Sequence, residues 1–463
     1  MKILHYSLGF PPFRRGGMTQ YCVDLMIEQI KNGNSVAMLW PGKLHDLSEN
    51  SSINKHKNHL LKEDYKCDSY EIVNPLPIPL MDGIIEPKMY MISKKIDKYQ
   101  QFFKRQQFDI LHIHTFMGLP EEIITAAKNN GILVIYTSHD YFSVCPRCNL
   151  FYSGQNCVHS YNCENCVDCN KNGLTYKKMK FLQSDLYKKI KDNAIVKILR
   201  KHHNNALYYE ESNNKSKYIT SRDKQLEYRK LRRKNIEILE KLDIVHFNSK
   251  NTLKIYKEFG YSGRNAKIIS IANGAIKNNK AIREVHNSVR FGYLGPITKH
   301  KGFNLLYDVC KKLTKSNIYD FEVHIFVEIN NLPEYFLCHK PYRYEELADV
   351  MDKFDILVVP SEWNETFGFT VLEALSYGIP VIVSNHVGAK DLIEQAKNGY
   401  IISVDDNGEE LFKVMKNVII DKQKVSKMSE NIYNTTEIKS MSQHNEEIEQ
   451  LYRRNVNNVI FSS

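Results

Sequence analysis

No stretch of this 463-residue sequence approaches the roughly 18 uninterrupted apolar residues that a membrane-spanning helix requires. A secretory leader is also not visible. Met1-Lys2 opens only a short apolar run, Ile3 to Leu8, which carries His5 and is followed by Pro11-Pro12. Both absences lead us to expect a cytoplasmic protein, with the inner face of a membrane as its one bilayer contact. The two halves share no obvious internal repeat. A disulfide framework is not expected in a reducing cytoplasm, although ten cysteines are present. No nucleic-acid recognition motif or aromatic-interleaved sheet accompanies the basic residues, which argues against nucleic acid as a partner.

What is present is the composition of an ordinary globular protein, 42% hydrophobic and 25% charged. Its length suits two or three domains with substantial cores. The net charge of +11 is concentrated: residues 170–241 hold 20 Lys/Arg against 8 Asp/Glu, so the remainder is close to neutral. A segment of that kind fits an anionic surface or polymer as well as it fits a solvated helical face.

The pattern along the chain is α/β. Ile3 to Ser7 reads as a short buried strand, followed by a Gly/Pro loop from Gly9 to Gly17. A helix from about Thr19 carries Tyr21, Leu25, Met26 and Ile30 near a 3.6 period, and Ser35 to Trp40 is the next strand. Further strands are expected at Ile110–His114, Ile132–Ser138, Asp243–Asn248 and Lys267–Ile271. Residues 43–108 read as loops with one helix around Pro87–Phe103. The basic segment reads as two or three amphipathic helices inserted in the first domain. The second half predicts strands at Arg290–Leu294, Phe321–Phe326, Ile356–Val359 and Pro380–Val383. This rhythm predicts two doubly wound, Rossmann-like domains facing across a cleft, 1–275 and 276–437. The segment 438–463 is expected to be a helix returning to the first domain.

The most informative stretch runs from Pro360 to Val383, PSEWNETFGFTVLEALSYGIPVIV. It follows an apolar strand, turns through Ser361–Phe367 and enters a helix near Thr370 that stops at Gly378. Glu365 then lies in the loop and Glu373 in the helix. The amides of Phe367, Gly368 and Phe369 fall at the helix N-terminus, where phosphate binds. Carboxylates on either side of such amides suit a ligand with hydroxyls at both ends and phosphates between them. A nucleotide sugar has that layout.

This stretch resembles the E-x7-E motif of retaining family 4 glycosyltransferases of the GT-B fold (glycosyl transferases group 1), with Glu365 and Glu373 as its two glutamates. The resemblance implies that Glu373 holds the ribose hydroxyls and that Glu365 contacts the donor sugar beside the amides. Upstream, Gly295-Pro296 and Lys301-Gly302 resemble the family's Gly-Arg and Lys-Gly pair, whose basic residues bind the donor diphosphate. Lys301 matches, and Pro296 stands where the family has arginine. Charge neutralisation would then fall to Lys301, with Lys299 or His300 as assistants. Gly16-Gly17 resembles the family's Gly-Gly loop. Thr137-Ser138-His139-Asp140 resembles its Thr-x-His-Asp, which points to His139, more than His114, as a donor-sugar contact.

The implied activity is that of a retaining, metal-independent hexosyltransferase-type enzyme. It would move a sugar from a UDP- or GDP-sugar to a carbohydrate or lipid-linked hydroxyl in cell-surface polysaccharide or glycolipid synthesis. Glu365, His139 and Lys301 would be its catalytic residues, and no covalent nucleophile is evident. A catalytically inactive sugar-binding or scaffolding relative is the rival reading, on account of Pro296. An anionic membrane is the partner expected for residues 170–241. Catalysis is expected to require no cofactor. Six cysteines lie between residues 145 and 169, and Cys145, Cys148, Cys163 and Cys166 make two C-x2-C pairs with the spacing of a structural zinc site. Free thiols are the alternative.

Overall fold

The computed structural model describes residues 1–11, 14, 16–62, 65–157, 163–191, 193, 196–197, 221–285 and 287–460. The chain divides into two compact units: residues 1–152, 157–274 and 441–463 form the first, and residues 153–156 and 275–440 the second.

The first unit contains β1 (Lys2–Tyr6), β2 (Ser35–Pro41), β3 (Ser52–Lys62), β4 (Tyr65–Val73), β5 (Ile110–Ile113) and β6 (Leu133–Ser138). After β7 (Phe151–Tyr152), and after β8 (Gln155–Asn156), which belongs to the second unit, come β9 (Ile244–Phe247) and β10 (Ala266–Ile268). Eight of these make one sheet in the order β10-β9-β6-β5-β1-β2-β4-β3. All neighbours are parallel except β3 and β4. β1 lies between β2 and β5, so the chain order reverses at its C-terminal end, where ligands of open α/β sheets bind. β5 and β6 are buried at every position, as parallel strands covered on both faces must be.

Residues 43–108 correct the expectation of loops and a single helix. β3 and β4 form an antiparallel pair there, followed by a 3-10 turn at Pro87–Tyr90 and a helix at Asp97–Gln106. β3 lies at the sheet edge, and its largely exposed sequence SINKHKNHLLK shows no apolar alternation. Its strand conformation therefore comes from pairing with β4, a tertiary effect that overrides local pattern.

Of the basic segment, the described residues form helices at Tyr176–Leu182, Asp185–Ile190 and Arg222–Lys241. Residues 192, 194–195 and 198–220 of that expectation lie outside the described residues. The final helix, Met441–Ile460, belongs to the first unit. It buries Met441, His444, Ile448, Leu451 and Tyr452 on one stripe.

The second unit is a six-stranded sheet with all neighbours parallel. Its strands are β11 (Val289–Tyr293), β12 (Phe321–Ile325), β13 (Phe336–Cys338), β14 (Ile356–Val359), β15 (Val381–Ser384) and β16 (Gly399–Ile402), in the order β13-β12-β11-β14-β15-β16. β11 and β14 are neighbours at the centre. The loops that follow them, which hold the Lys301 and Glu365 motifs, therefore emerge side by side at the C-terminal edge.

Candidate active site

The loop after β11 is shaped by two contacts. Tyr293 donates its hydroxyl proton to the Pro296 carbonyl at 2.7 Å, next to Gly295. The 3-10 turn Lys299–Lys301 then ends at Gly302, which has a φ of 75°. A Cβ at Gly302 would sit 1.9 Å from the Pro360 carbonyl oxygen, so only glycine lets this loop close on the end of β14. His300 completes the join: its carbonyl accepts from the amides of Glu362 and Trp363 at 3.0 and 3.2 Å.

That closure brings Lys301 to Glu365. Lys301 Nζ lies 2.9 Å from Glu365 Oε1 and 5.0 Å from the centre of the Trp363 ring. Ser361 donates its hydroxyl to the same carboxylate. Burial by itself would raise the Glu365 pKa, but Lys301 and Ser361 outweigh it and hold the group below the usual range. Glu365 is therefore an ionised carboxylate in a partly desolvated setting. His300 does not serve as an auxiliary cation. Burial, and then the neighbouring Lys301 charge, depress its pKa to about 4, and its ring packs edge-on to Trp363. Of the three basic side chains expected to share this work, Lys301 is the one the structure pairs with Glu365.

The helix Phe369–Ser376 begins at Gly368, whose φ is 96°. A side chain there would meet Val387 at 2.7 Å. The carbonyls of Glu365 and Phe367 accept from the amides of Gly388 and Ala389 at 3.1 and 2.7 Å. These bonds fix the loop and leave the amides of Phe367, Gly368 and Phe369 at the open first turn, at the positive end of the helix dipole. Glu373 follows one turn later and is 7% exposed. Desolvation raises its pKa to about 7, against a hydrogen bond from Tyr344 that lowers it. Two glutamates eight residues apart thus have opposed environments, one held ionised and one poised near neutrality.

One participant had no sequence signal. Asn156, in the second unit, donates to the Glu362 carbonyl at 2.6 Å and accepts from the Asn364 amide at 3.1 Å. It ties down the residues immediately before Glu365.

The remaining candidates lie in the first unit. Gly16 precedes the helix Gly17–Lys31 as its N-cap. His139 is one residue past β6, partly exposed, with its Nε2 3.2 Å from His114 Nδ1 and its ring 4.6 Å from that of Tyr21. Burial drives its pKa down to about 3, so the ring is neutral. Asp140 beside it accepts from the Phe142 amide at 2.8 Å, and burial raises its carboxyl to about 6.

Among the described residues, no three of Cys145, Cys148, Cys163 and Cys166 bring their sulfurs within 4.8 Å of one another, and all are free thiols. Cys163 and Cys166 interact with each other, and Arg232 lies 3.8 Å from the Cys166 sulfur. Cys148 instead points to the Leu80 carbonyl at 3.5 Å. The spacing in sequence is that of a zinc site, and Cys148 also lies near Cys145. The set that does converge is His5, Cys22 and His114, where the two histidines already share a 3.0 Å hydrogen bond.

Two parallel α/β units with their motif-bearing loops at the C-terminal strand edges define the class: the fold is GT-B. Residues 276–435 match the family model described as glycosyl transferases group 1. Sucrose-phosphate synthase from Thermosynechococcus elongatus shares the fold with a TM-score of 0.56 at 13% identity, over 98% of each chain. HepE of Anabaena, solved in complex with UDP and glucose, gives a TM-score of 0.53 at 13% identity over 98% of this chain and all of that one. In sequence, an uncharacterised 42.6 kDa protein in the cps region of Klebsiella pneumoniae is 22% identical over 89% of this chain and 96% of its own length. Among the described residues no helix is long and apolar enough to cross a membrane.

Proposed function

We propose that this chain is a retaining glycosyltransferase that moves a sugar from a nucleoside diphosphate sugar to a hydroxyl acceptor, in the synthesis of a cell-surface polysaccharide or glycolipid. The observation that carries the reading is the Lys301–Glu365 pair beside the open amides of Phe367–Phe369, with Glu373 one turn further along the same helix. In this reading the diphosphate sits on Lys301 and the amides, which stabilise the charge that develops on the leaving group. Glu373 accepts from the ribose hydroxyls, and Glu365 accepts from a hydroxyl of the sugar while holding Lys301 in place. His139 contacts a sugar hydroxyl. The acceptor oxygen attacks from the face the leaving group departs, and its proton passes to the leaving phosphate, so retention needs neither an enzyme nucleophile nor a metal. The UDP complex of HepE and the cps-region relative support a nucleotide-sugar donor and a polysaccharide product.

The experiment is an assay of nucleoside diphosphate release from UDP-, GDP- and ADP-sugars with a panel of simple glycoside and polyprenyl-phosphate-sugar acceptors. The new anomeric proton of any product is read by NMR. One donor should be turned over with retained configuration. Inversion would remove the proposed mechanism, and no turnover of any donor would favour the inactive relative that Pro296 suggests.

Membrane docking is a finer part of this proposal. In the helices Tyr176–Leu182 and Asp185–Ile190, Phe181, Leu186 and Ile190 are exposed together with Lys177, Lys178, Lys180 and Lys189. Apolar anchors among lysines suit the headgroup region of an anionic bilayer. Flotation with vesicles containing phosphatidylglycerol should recover the protein, and Phe181→Ser/Leu186→Ser should reduce recovery several-fold. Equal recovery with neutral and anionic vesicles would exclude this docking.

A further inference from the structure

Eight buried or half-buried side chains of the first unit form one unbroken series of hydrogen bonds. It starts at His139, beyond the C-terminal end of β6. His139 Nε2 lies 3.2 Å from His114 Nδ1, His114 Nε2 lies 3.0 Å from His5 Nδ1, and His5 Nε2 lies 2.7 Å from Gln29 Oε1. The other end of the Gln29 amide meets Tyr452 on the final helix at 3.3 Å. Tyr452 Oη lies 2.6 Å from His112 Nδ1, His112 Nε2 lies 2.7 Å from Thr137 Oγ1, and Thr137 Oγ1 lies 2.9 Å from His246 Nδ1. His246 Nε2 ends the series, 2.7 Å from the backbone carbonyl of Ile269.

Burial keeps four of the five imidazoles neutral: it holds His5 at about 4 and His139 at about 3, and His112 and His114 lie well below the usual value. His246 is fully buried and is taken as neutral too. A neutral imidazole has one donor nitrogen and one acceptor nitrogen. Hydroxyls and a primary amide pass the same sense along. The series can therefore run in only two ways, with every proton pointing toward Ile269 or every proton pointing away.

The Ile269 carbonyl decides between them, because it only accepts. His246 must carry its proton on Nε2, so Thr137 donates to His246 and His112 Nε2 donates to Thr137. Tyr452 then donates to His112, and the Gln29 amide nitrogen donates to Tyr452. Gln29 Oε1 accepts from His5, His5 Nδ1 accepts from His114, and His114 Nδ1 accepts from His139. The opposite sense would set a lone pair of His246 Nε2 against a carbonyl lone pair 2.7 Å away.

We infer that Tyr452 is a positioning residue for His139: it relays the one-way end at Ile269 to the sheet edge and locks His139 as the Nε2–H tautomer, so that Nδ1 is an acceptor for a sugar hydroxyl. The tautomer follows from the hydrogen bonds and the neutrality of the buried rings, with no ligand involved. The hydroxyl contact rests on the glycosyltransferase reading above. Tyr452 is 313 positions from His139 in the sequence, and it joins the two halves of the series only because the final helix packs on the first unit.

The test is long-range proton–nitrogen NMR of protein labelled with 15N-imidazole histidine, without ligand, with signals assigned by single His→Gln variants. His139 and His246 should both show the Nε2–H pattern in the wild type. Tyr452→Phe removes the hydroxyl that joins the halves. His246 should then keep its pattern, while His139, now released from Ile269, shows a mixture of tautomers. Thr137→Val cuts the series at a second place and should give the same result, which covers the case in which one variant fails to fold. A wild-type His139 with its proton on Nδ1, or a His139 that stays purely Nε2–H in a folded cut variant, would overturn the inference. Because no donor is present, the outcome is independent of whether the chain transfers sugar. Where turnover is measurable, Tyr452→Phe should lower kcat by no more than about twofold if the two tautomers become equal in population.

Discussion

Lys301→Ala is expected to lower turnover by about 10²–10³-fold, the usual loss when one preorganised donor is removed from developing transition-state charge. The effect on the fold should be separable from the effect on rate. Lys301 is the counter-ion of Glu365, whose side chain is 12% exposed. Removing it leaves a buried carboxylate held by the Ser361 hydroxyl and by Trp363, at a cost of about 1–3 kcal/mol. The pH dependence follows from the direction of the shift. In the wild type the Glu365 pKa is held below its ordinary value. Its stabilising contribution is therefore present above about pH 4.5 and lost as pH falls through the depressed value. In Lys301→Ala burial dominates, and the pKa moves above the ordinary value. The destabilisation should be small at pH 4.5 and grow toward pH 8. Urea unfolding of both proteins across this range measures it, and a loss independent of pH would show that Lys301 is not paired with an ionised Glu365.

Glu373→Gln should separate stability from function in the opposite direction. Burial lifts the Glu373 pKa to about 7, so the folded state prefers the neutral acid. The sign is the reverse of that for Glu365: the contribution is fully present below about pH 4.5 and is lost as pH rises through about 7. At pH 8 the wild type holds a charge where burial disfavours it, at a cost on the order of 3 kcal/mol for a shift of this size. The glutamine variant, neutral at every pH, should therefore be the more stable protein at pH 8 and nearly equal to the wild type at pH 5. Donor binding should move the other way. An ionised carboxylate accepts from two ribose hydroxyls and an amide accepts less strongly, so affinity should fall by about 10–100-fold. Wild-type affinity should also strengthen as pH rises through about 7. Calorimetric titration with the active nucleotide at pH 6 and pH 8 reads both effects. A variant that is less stable at pH 8 would contradict the desolvation argument.

The parts of this site that were legible in the sequence are those built within one strand-loop-helix unit. The spacing of Glu365 and Glu373 fixes one in the loop and the other in the helix, because β14, the loop and the helix Phe369–Ser376 are consecutive. Lys301 was legible through its glycine, and the structure supplies the reason: only Gly302 allows that loop onto Pro360. Long-range pairing was not legible. β3 has no apolar alternation and becomes a strand by pairing with β4. Asn156 reaches residues more than 200 positions away. The motif singles out His139 over His114, yet both belong to one hydrogen-bonded series with His112, whose Nδ1 meets Tyr452. The cysteines show the converse: regular spacing in sequence, yet among the described residues no three of the four candidate sulfurs lie within 4.8 Å of one another.

The most direct test of the central claim is thermal denaturation of the wild type and Glu373→Ala with UDP, GDP, ADP and their sugars at pH 8. Binding to the folded state alone raises the melting temperature in proportion to the logarithm of ligand over Kd. The account predicts that one nucleotide stabilises the wild type and that Glu373→Ala loses the shift. A wild type indifferent to every nucleotide, or a variant stabilised as much as the wild type, would contradict a donor site at Glu373.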